Sequence, residues 1–93
     1  MSESVALKVL VYGRVQGVYY RAFIERHATR LNLTGSVRNL PDRSVEVYAE
    51  GKKEQLEQLL EILKKGPPGS RIDDITTNWS EYSGKYYNFS ITG

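Results

Sequence analysis

The 93-residue chain has no cysteine and only one histidine, one tryptophan and one methionine. Without cysteine there are no disulfides, no thiolate nucleophile and no cysteine-ligated zinc. The same absence leaves the compartment unmarked, because such a chain folds equally well in reducing or oxidising surroundings. Long apolar runs are missing too. The longest aliphatic stretch, Val9 to Val11, is far short of a membrane span, and no signal-like segment opens the chain. The expectation is a cytoplasmic protein with no membrane partner. Charge of one sign is also scarce: 13 Lys and Arg against 11 Asp and Glu leave a net +2, too little by itself to argue for nucleic acid. No linker, repeat or low-complexity tract divides the chain. A single domain, residues 1–93, is expected, since a second core does not fit.

What is present is a clear change of period along the chain. Val5, Leu7, Val9 and Val11 alternate with Ala6, Lys8, Leu10 and Tyr12, which reads as a strand ending at Gly13. From about Tyr20, Phe23, Ile24, His27, Ala28 and Leu31 share one helical face, and Asn32 and Gly35 mark the exit. Strands follow at about Ser36 to Leu40 and Ser44 to Glu50, joined by a tight turn at Pro41-Asp42-Arg43. Leu56, Leu59, Leu60 and Leu63 repeat at helical spacing until Gly66-Pro67-Pro68-Gly69 stops the helix. Strand-like runs close the chain at about Ile72 to Trp79 and Tyr86 to Thr92.

The order predicts an α+β, ferredoxin-like split β-α-β fold: βαββαβ with an extra C-terminal strand. An antiparallel sheet would carry both helices on one face. A right-handed crossover makes the first two strands parallel, with the third antiparallel between them. The ends of strands one and two then share an edge, bringing the loop after Gly13 near Asn39 and Leu40.

That loop, Gly13-Arg14-Val15-Gln16-Gly17-Val18-Tyr19-Tyr20-Arg21, lies where a strand gives way to a helix. Helix N-termini carry unpaired N–H groups and a positive dipole end, and glycines let successive amides turn inward. Arg21 adds a planar fork suited to phosphate oxygens. The same spacing fits a plain β-to-α turn with a solvated arginine, so spacing supports an anion site without naming a reaction. No Gly-Lys-Ser/Thr follows, which rules out a nucleoside-triphosphate loop of the common kind.

These residues resemble the acylphosphatase signature, in which Gly-x-Val-Gln-Gly-Val leads to a phosphate-binding arginine. Gly35-Ser36-Val37-Arg38-Asn39 resembles the family's second motif, Gly-x-Val-x-Asn, and the similarity runs from about Val5 to Ile91. The resemblance implies that Arg21 binds phosphate and that Asn39 orients the attacking water. It implies that amides of the loop Val15, Gln16, Gly17, Val18, Tyr19 and Tyr20 surround the phosphoryl oxygens. The implied reaction is hydrolysis of an acyl phosphate to carboxylate and inorganic phosphate by a stand-alone enzyme, without metal or cofactor; separately, a monomer is expected. Two positions depart from the family. Arg43 stands where Pro-Asp-Gly-Ser is common and is expected to face away from the chemistry. Tyr19-Tyr20 replaces Gly-Phe or Phe-Phe, with one ring expected in the core.

The lone His27 shares the apolar face of its helix and is assigned a packing role. No cluster of ligating residues suggests a metal. The alternative reading is a non-enzymatic ferredoxin-like anion- or RNA-binding module presenting Tyr12, Tyr48, Trp79 and Tyr86 on its sheet. Against it, the third strand lacks the expected Gly-aromatic run and carries Glu46 and Glu50, which repel phosphates.

Overall fold

A computed structural model describes residues 3–17 and 19–93. The elements are β1 (Ser4–Arg14), α1 (Tyr20–Arg30), β2 (Thr34–Asn39), β3 (Val45–Lys52), α2 (Lys53–Lys65), β4 (Arg71–Glu81) and β5 (Phe89–Ile91). They form one sheet in the order β4-β1-β3-β2-β5. β3 lies antiparallel to both β1 and β2, so β1 and β2 run the same way, as the crossover rule requires. No described helix is long and apolar enough to cross a membrane.

The alternation seen in β1 now has a partner layer. Leu7, Val9 and Val11 pair with Ala49, Val47 and Val45, and all six are fully buried. Against this face pack Ile24 and Ala28 of α1 and Leu56, Leu59 and Leu63 of α2. Each large side chain among them contributes about 1.5–3 kcal/mol by leaving water. His27 lies beside the same layer, its ring edge-on to Phe23 at 4.5 Å. Burial, then the charges of Arg30 and Arg26, lower its pKa, so at neutral pH it is an uncharged packing residue.

The sheet is mixed, which corrects the expected antiparallel one: β5 pairs parallel with β2, Gly35 opposite Phe89 and Val37 opposite Ile91. The cause is where the chain crosses. β4 ends with Glu81 opposite Val5, at the end of the sheet where β2 begins. The chain traverses the helix-free face there and arrives at β2 ready to run in the same direction.

Glu50 holds that crossing in place. Its carboxylate is only 1% exposed. It accepts hydrogen bonds from the Tyr48 hydroxyl at 2.6 Å, the Ser83 hydroxyl at 2.7 Å and the Ser83 and Gly84 N–H groups at 3.0 and 3.1 Å. Burial alone raises its pKa, but the bonds from Ser83, Tyr48 and Gly84 outweigh burial and leave it lowered. Burial, with the neighbouring carboxylate, pushes Tyr48 up to about 12. A carboxyl whose folded pKa is depressed stabilises the fold above its unfolded pKa, and that stability is lost as pH falls through the folded value. Glu50→Gln is therefore expected to cost about 1–3 kcal/mol at pH 7, from weakened charged hydrogen bonds. Urea unfolding followed from pH 7 downward is expected to show a smaller loss in the variant than in the parent below the unfolded carboxyl range.

Trp79 does not join the tyrosines of the open face. β4 places it opposite Leu7, on the helix side, with the Lys53 ammonium 5.9 Å from its ring centre. Tyr48 and Tyr86 do lie together, their rings 5.4 Å apart. Both acidic residues of β3 are engaged: Glu46 meets Arg38 at 2.8 Å and Lys8 at 3.4 Å, while Glu50 serves the crossing.

Candidate active site

The site is assembled where β1 and β2 end. β1 shifts register against β4 between Tyr12 and Gly13. At Gly13, φ is 136°, and a side chain there would collide with the Arg71 carbonyl. Glycine is therefore required by both backbone and neighbour. Val15, 1% exposed, pins the loop to the core. Gly17 follows at φ 77°, with open space around it, so its requirement is conformational alone.

Gln16 does something its position in the loop did not announce. Its side-chain amide donates to the Leu40 carbonyl at 3.1 Å and the Ser44 carbonyl at 2.9 Å. This ties the loop to the β2–β3 turn, directly beside Asn39. Gln16→Ala is expected to cost about 1–2 kcal/mol, two hydrogen bonds' worth, in chemical denaturation. If the bonds also hold Asn39 in register, kcat falls about 10-fold with KM little changed. A purely structural role would move stability alone.

The helix start is open. Val18 lies outside the described residues. Tyr19, at φ 61°, is the N-cap of α1 and gives no side-chain cap; no acidic residue sits in the first turn. The Phe23 N–H closes the first turn on the Tyr19 carbonyl at 3.0 Å. The dipole's positive end is thus neither capped nor neutralised from within the helix. Of the paired tyrosines, Tyr20 is the core ring, 1% exposed, whereas Tyr19 is 87% exposed. The Tyr20 hydroxyl donates to the Leu63 carbonyl at 2.9 Å, satisfying a last-turn carbonyl of α2. Burial holds its pKa well above the usual phenol range.

Arg21, half-buried in the first turn, separates two hollows. A cleft of about 720 Å³ runs from the Gly13–Gly17 loop past Arg21 and Asn39. A smaller hollow of about 360 Å³ shares Arg21 but is walled by Tyr19, Ala22 and Ile91. Asn39 closes β2 opposite Val45. Its Oδ1 is buried and accepts no hydrogen bond from any described residue. A buried acceptor without a partner is costly, and its presence on a residue that lines the cleft marks Asn39 as held there for something other than packing.

Arg21, Asn39, Val15, Gln16 and Gly17 thus line one cleft, while Tyr19 and Tyr20 wall the neighbouring hollow. Arg43, expected to face away, lines the cleft as well, and so do Arg14 and Arg71. Arg43 adopts φ 75°, the left-handed backbone that costs a non-glycine residue roughly 1–2 kcal/mol. Arg71 arrives through the β1–β4 register, opposite Arg14, a pairing with no local signature. Among the described residues, no group of three or more His, Cys, Asp or Glu is arranged to hold a metal ion.

Comparison with known proteins places the chain in a family. Residues 7–91 match the family model described as acylphosphatase. An acylphosphatase of Caldivirga maquilingensis is 42% identical over 92 residues, covering 98% of this chain and 97% of that protein. One from Thermus thermophilus is 51% identical over 78 residues, 84% of this chain and 89% of the relative. The crystal structure of acylphosphatase from Bacillus subtilis superposes with a TM-score of 0.93 at 36% identity, covering 96% of this chain and 99% of that one. By model, by sequence and by fold, the chain belongs to the acylphosphatase family.

Proposed function

We propose that this cleft hydrolyses the carboxyl–phosphate bond of acyl phosphates, giving a carboxylate and inorganic phosphate. The observation that carries the reading is the meeting of the Gly13–Gly17 loop, Arg21 from the first turn of α1 and Asn39 from the end of β2 in one cleft. Arg21 and the loop amides bind the phosphoryl oxygens and spread their charge. The side-chain amide of Asn39 hydrogen-bonds the attacking water and turns a lone pair of that water toward phosphorus.

The oxygen–phosphorus bond forms as the bridging carboxylate oxygen takes its electron pair away. An ordinary carboxylic acid has a pKa of about 4, so this group leaves at neutral pH without a general acid. That removes the main demand for a metal or catalytic histidine. The water's proton needs an acceptor, and the amide oxygen of Asn39 is too weak a base. The guanidiniums of the cleft cannot accept it, and no carboxylate or imidazole lines the cleft. A phosphoryl oxygen therefore takes it. Water attacks directly, with no phosphoenzyme, since the loop offers no credible nucleophile.

The reading treats the protein as a monomeric small-molecule enzyme without a nucleic-acid partner. Trp79 on the helix side of the sheet and the acidic β3 support that choice. Benzoyl phosphate hydrolysis in EDTA, followed by absorbance and released phosphate, tests the function. Rapid turnover is expected; its absence in a folded protein would leave a phosphate-binding domain.

A further inference from the structure

Four arginines line the cleft, more than one phosphoryl group needs: Arg14, Arg21, Arg43 and Arg71. Two are accounted for. Arg21 serves the phosphoryl group in the function proposed above. Arg71 is forked onto Asp73, at 2.9 and 3.3 Å. Arg14 and Arg43 form no ion pair with any described carboxylate. The nearest acid in sequence to Arg43, Asp42, turns instead to the Ser44 N–H at 3.0 Å and the Ser44 hydroxyl.

Arg43 is also held where a glycine would be unstrained. Its φ of 75° places a bulky residue in left-handed backbone. Such strain persists where the surroundings over-determine it, and it gathers at functional sites. The surroundings here are explicit: the Arg43 N–H donates to the Leu40 carbonyl at 3.1 Å, the same carbonyl that Gln16 grips. The turn is thereby locked to the anion loop, and Arg43 with it. Arg14 reaches the cleft from the end of β1, on the other side of β3 in the strand order. At about 720 Å³ the cleft has room for much more than a phosphoryl group.

We infer that Arg14 and Arg43 form a second anion subsite, so that the enzyme favours acyl phosphates whose acyl group carries a negative charge of its own. The inference rests on the acyl-phosphate reading and deepens it by naming a substrate class. Crowded like charges repel one another, and a second anionic group in the cleft relieves that repulsion while gaining two charged hydrogen-bond partners.

The test compares 4-carboxybenzoyl phosphate with 4-methylbenzoyl phosphate, similar in shape and different in charge. At low ionic strength kcat/KM is expected to favour the carboxylated substrate about 10-fold, and added salt is expected to narrow the gap. In the double variant Arg14→Gln, Arg43→Gly the ratio is expected to fall to about 1, with 4-methylbenzoyl phosphate turned over as in the parent. That substrate, whose acyl group is uncharged, also reports whether the variant is folded. A ratio near 1 in the parent, or a ratio unmoved in the variant, overturns the subsite and leaves the hydrolysis intact. Hydrolysis of neither substrate by the parent overturns the acyl-phosphate reading, and the subsite with it.

Discussion

Arg21→Gln is expected to lower kcat/KM for benzoyl phosphate by roughly 10³-fold or more while leaving the fold unchanged. Both halves follow from the surroundings of this side chain. It occupies the first turn of α1, makes no ion pair with a described carboxylate and borders both hollows beside the loop. Nothing in the packing depends on its charge, so thermal melting should barely move. In the proposed mechanism, however, the phosphoryl group loses the cation that binds it bidentately, and the helix start supplies only partial charge. Lysine is a poor substitute because an ammonium cannot present two parallel N–H donors. Arg21→Lys should recover only a small part of the loss. Parallel melting curves and steady-state kinetics decide the matter. Near-normal turnover in a folded Arg21→Gln protein would remove the central residue of the mechanism.

Asn39→Ala is expected to cut kcat by about 10²- to 10³-fold with little change in KM, because positioning water acts on the transition state more than on substrate binding. A second readout separates this from a structural role. Asn39 Oδ1 is a buried acceptor without a partner among the described residues. Removing it relieves a desolvation cost, so the variant should be as stable as the parent or up to about 1 kcal/mol more stable. Lost turnover with kept or gained stability is the signature of a group retained for chemistry. A loss of stability matching the loss of activity would instead make Asn39 a structural residue of the β2–β3 turn.

Much of this arrangement was legible in the chain because its signals are local and strong. Period-two alternation from Val5 to Val11, leucines at helical spacing from Leu56 to Leu63, and Gly66-Pro67-Pro68-Gly69 as a stop each reflect backbone preferences that tertiary contacts reinforce. The handedness of the crossover by itself brings Gly13 and Asn39 to one edge. What escaped were features set by register and by distant contacts. The parallel pairing of β5 depends on where the chain crosses the open face, and that depends on Glu50 meeting Ser83 and Gly84. In the sequence Glu50 shows only as an acidic residue of the third strand that repels phosphates, because nothing near it reveals its partners. Arg71 enters the cleft only through its place opposite Arg14. Arg43 was visible as a departure at a glycine-favouring turn, yet that turn is tied to the loop by Gln16 through Leu40 and Ser44, contacts remote in sequence.

In the proposed reaction water attacks phosphorus, and isotope placement tests that most directly. Acetyl phosphate hydrolysed by the protein in ¹⁸O-labelled water should yield inorganic phosphate carrying the label and acetate carrying none. Label in the acetate would mean attack at the carbonyl carbon, and would contradict the roles assigned to Arg21, Asn39 and the loop between them.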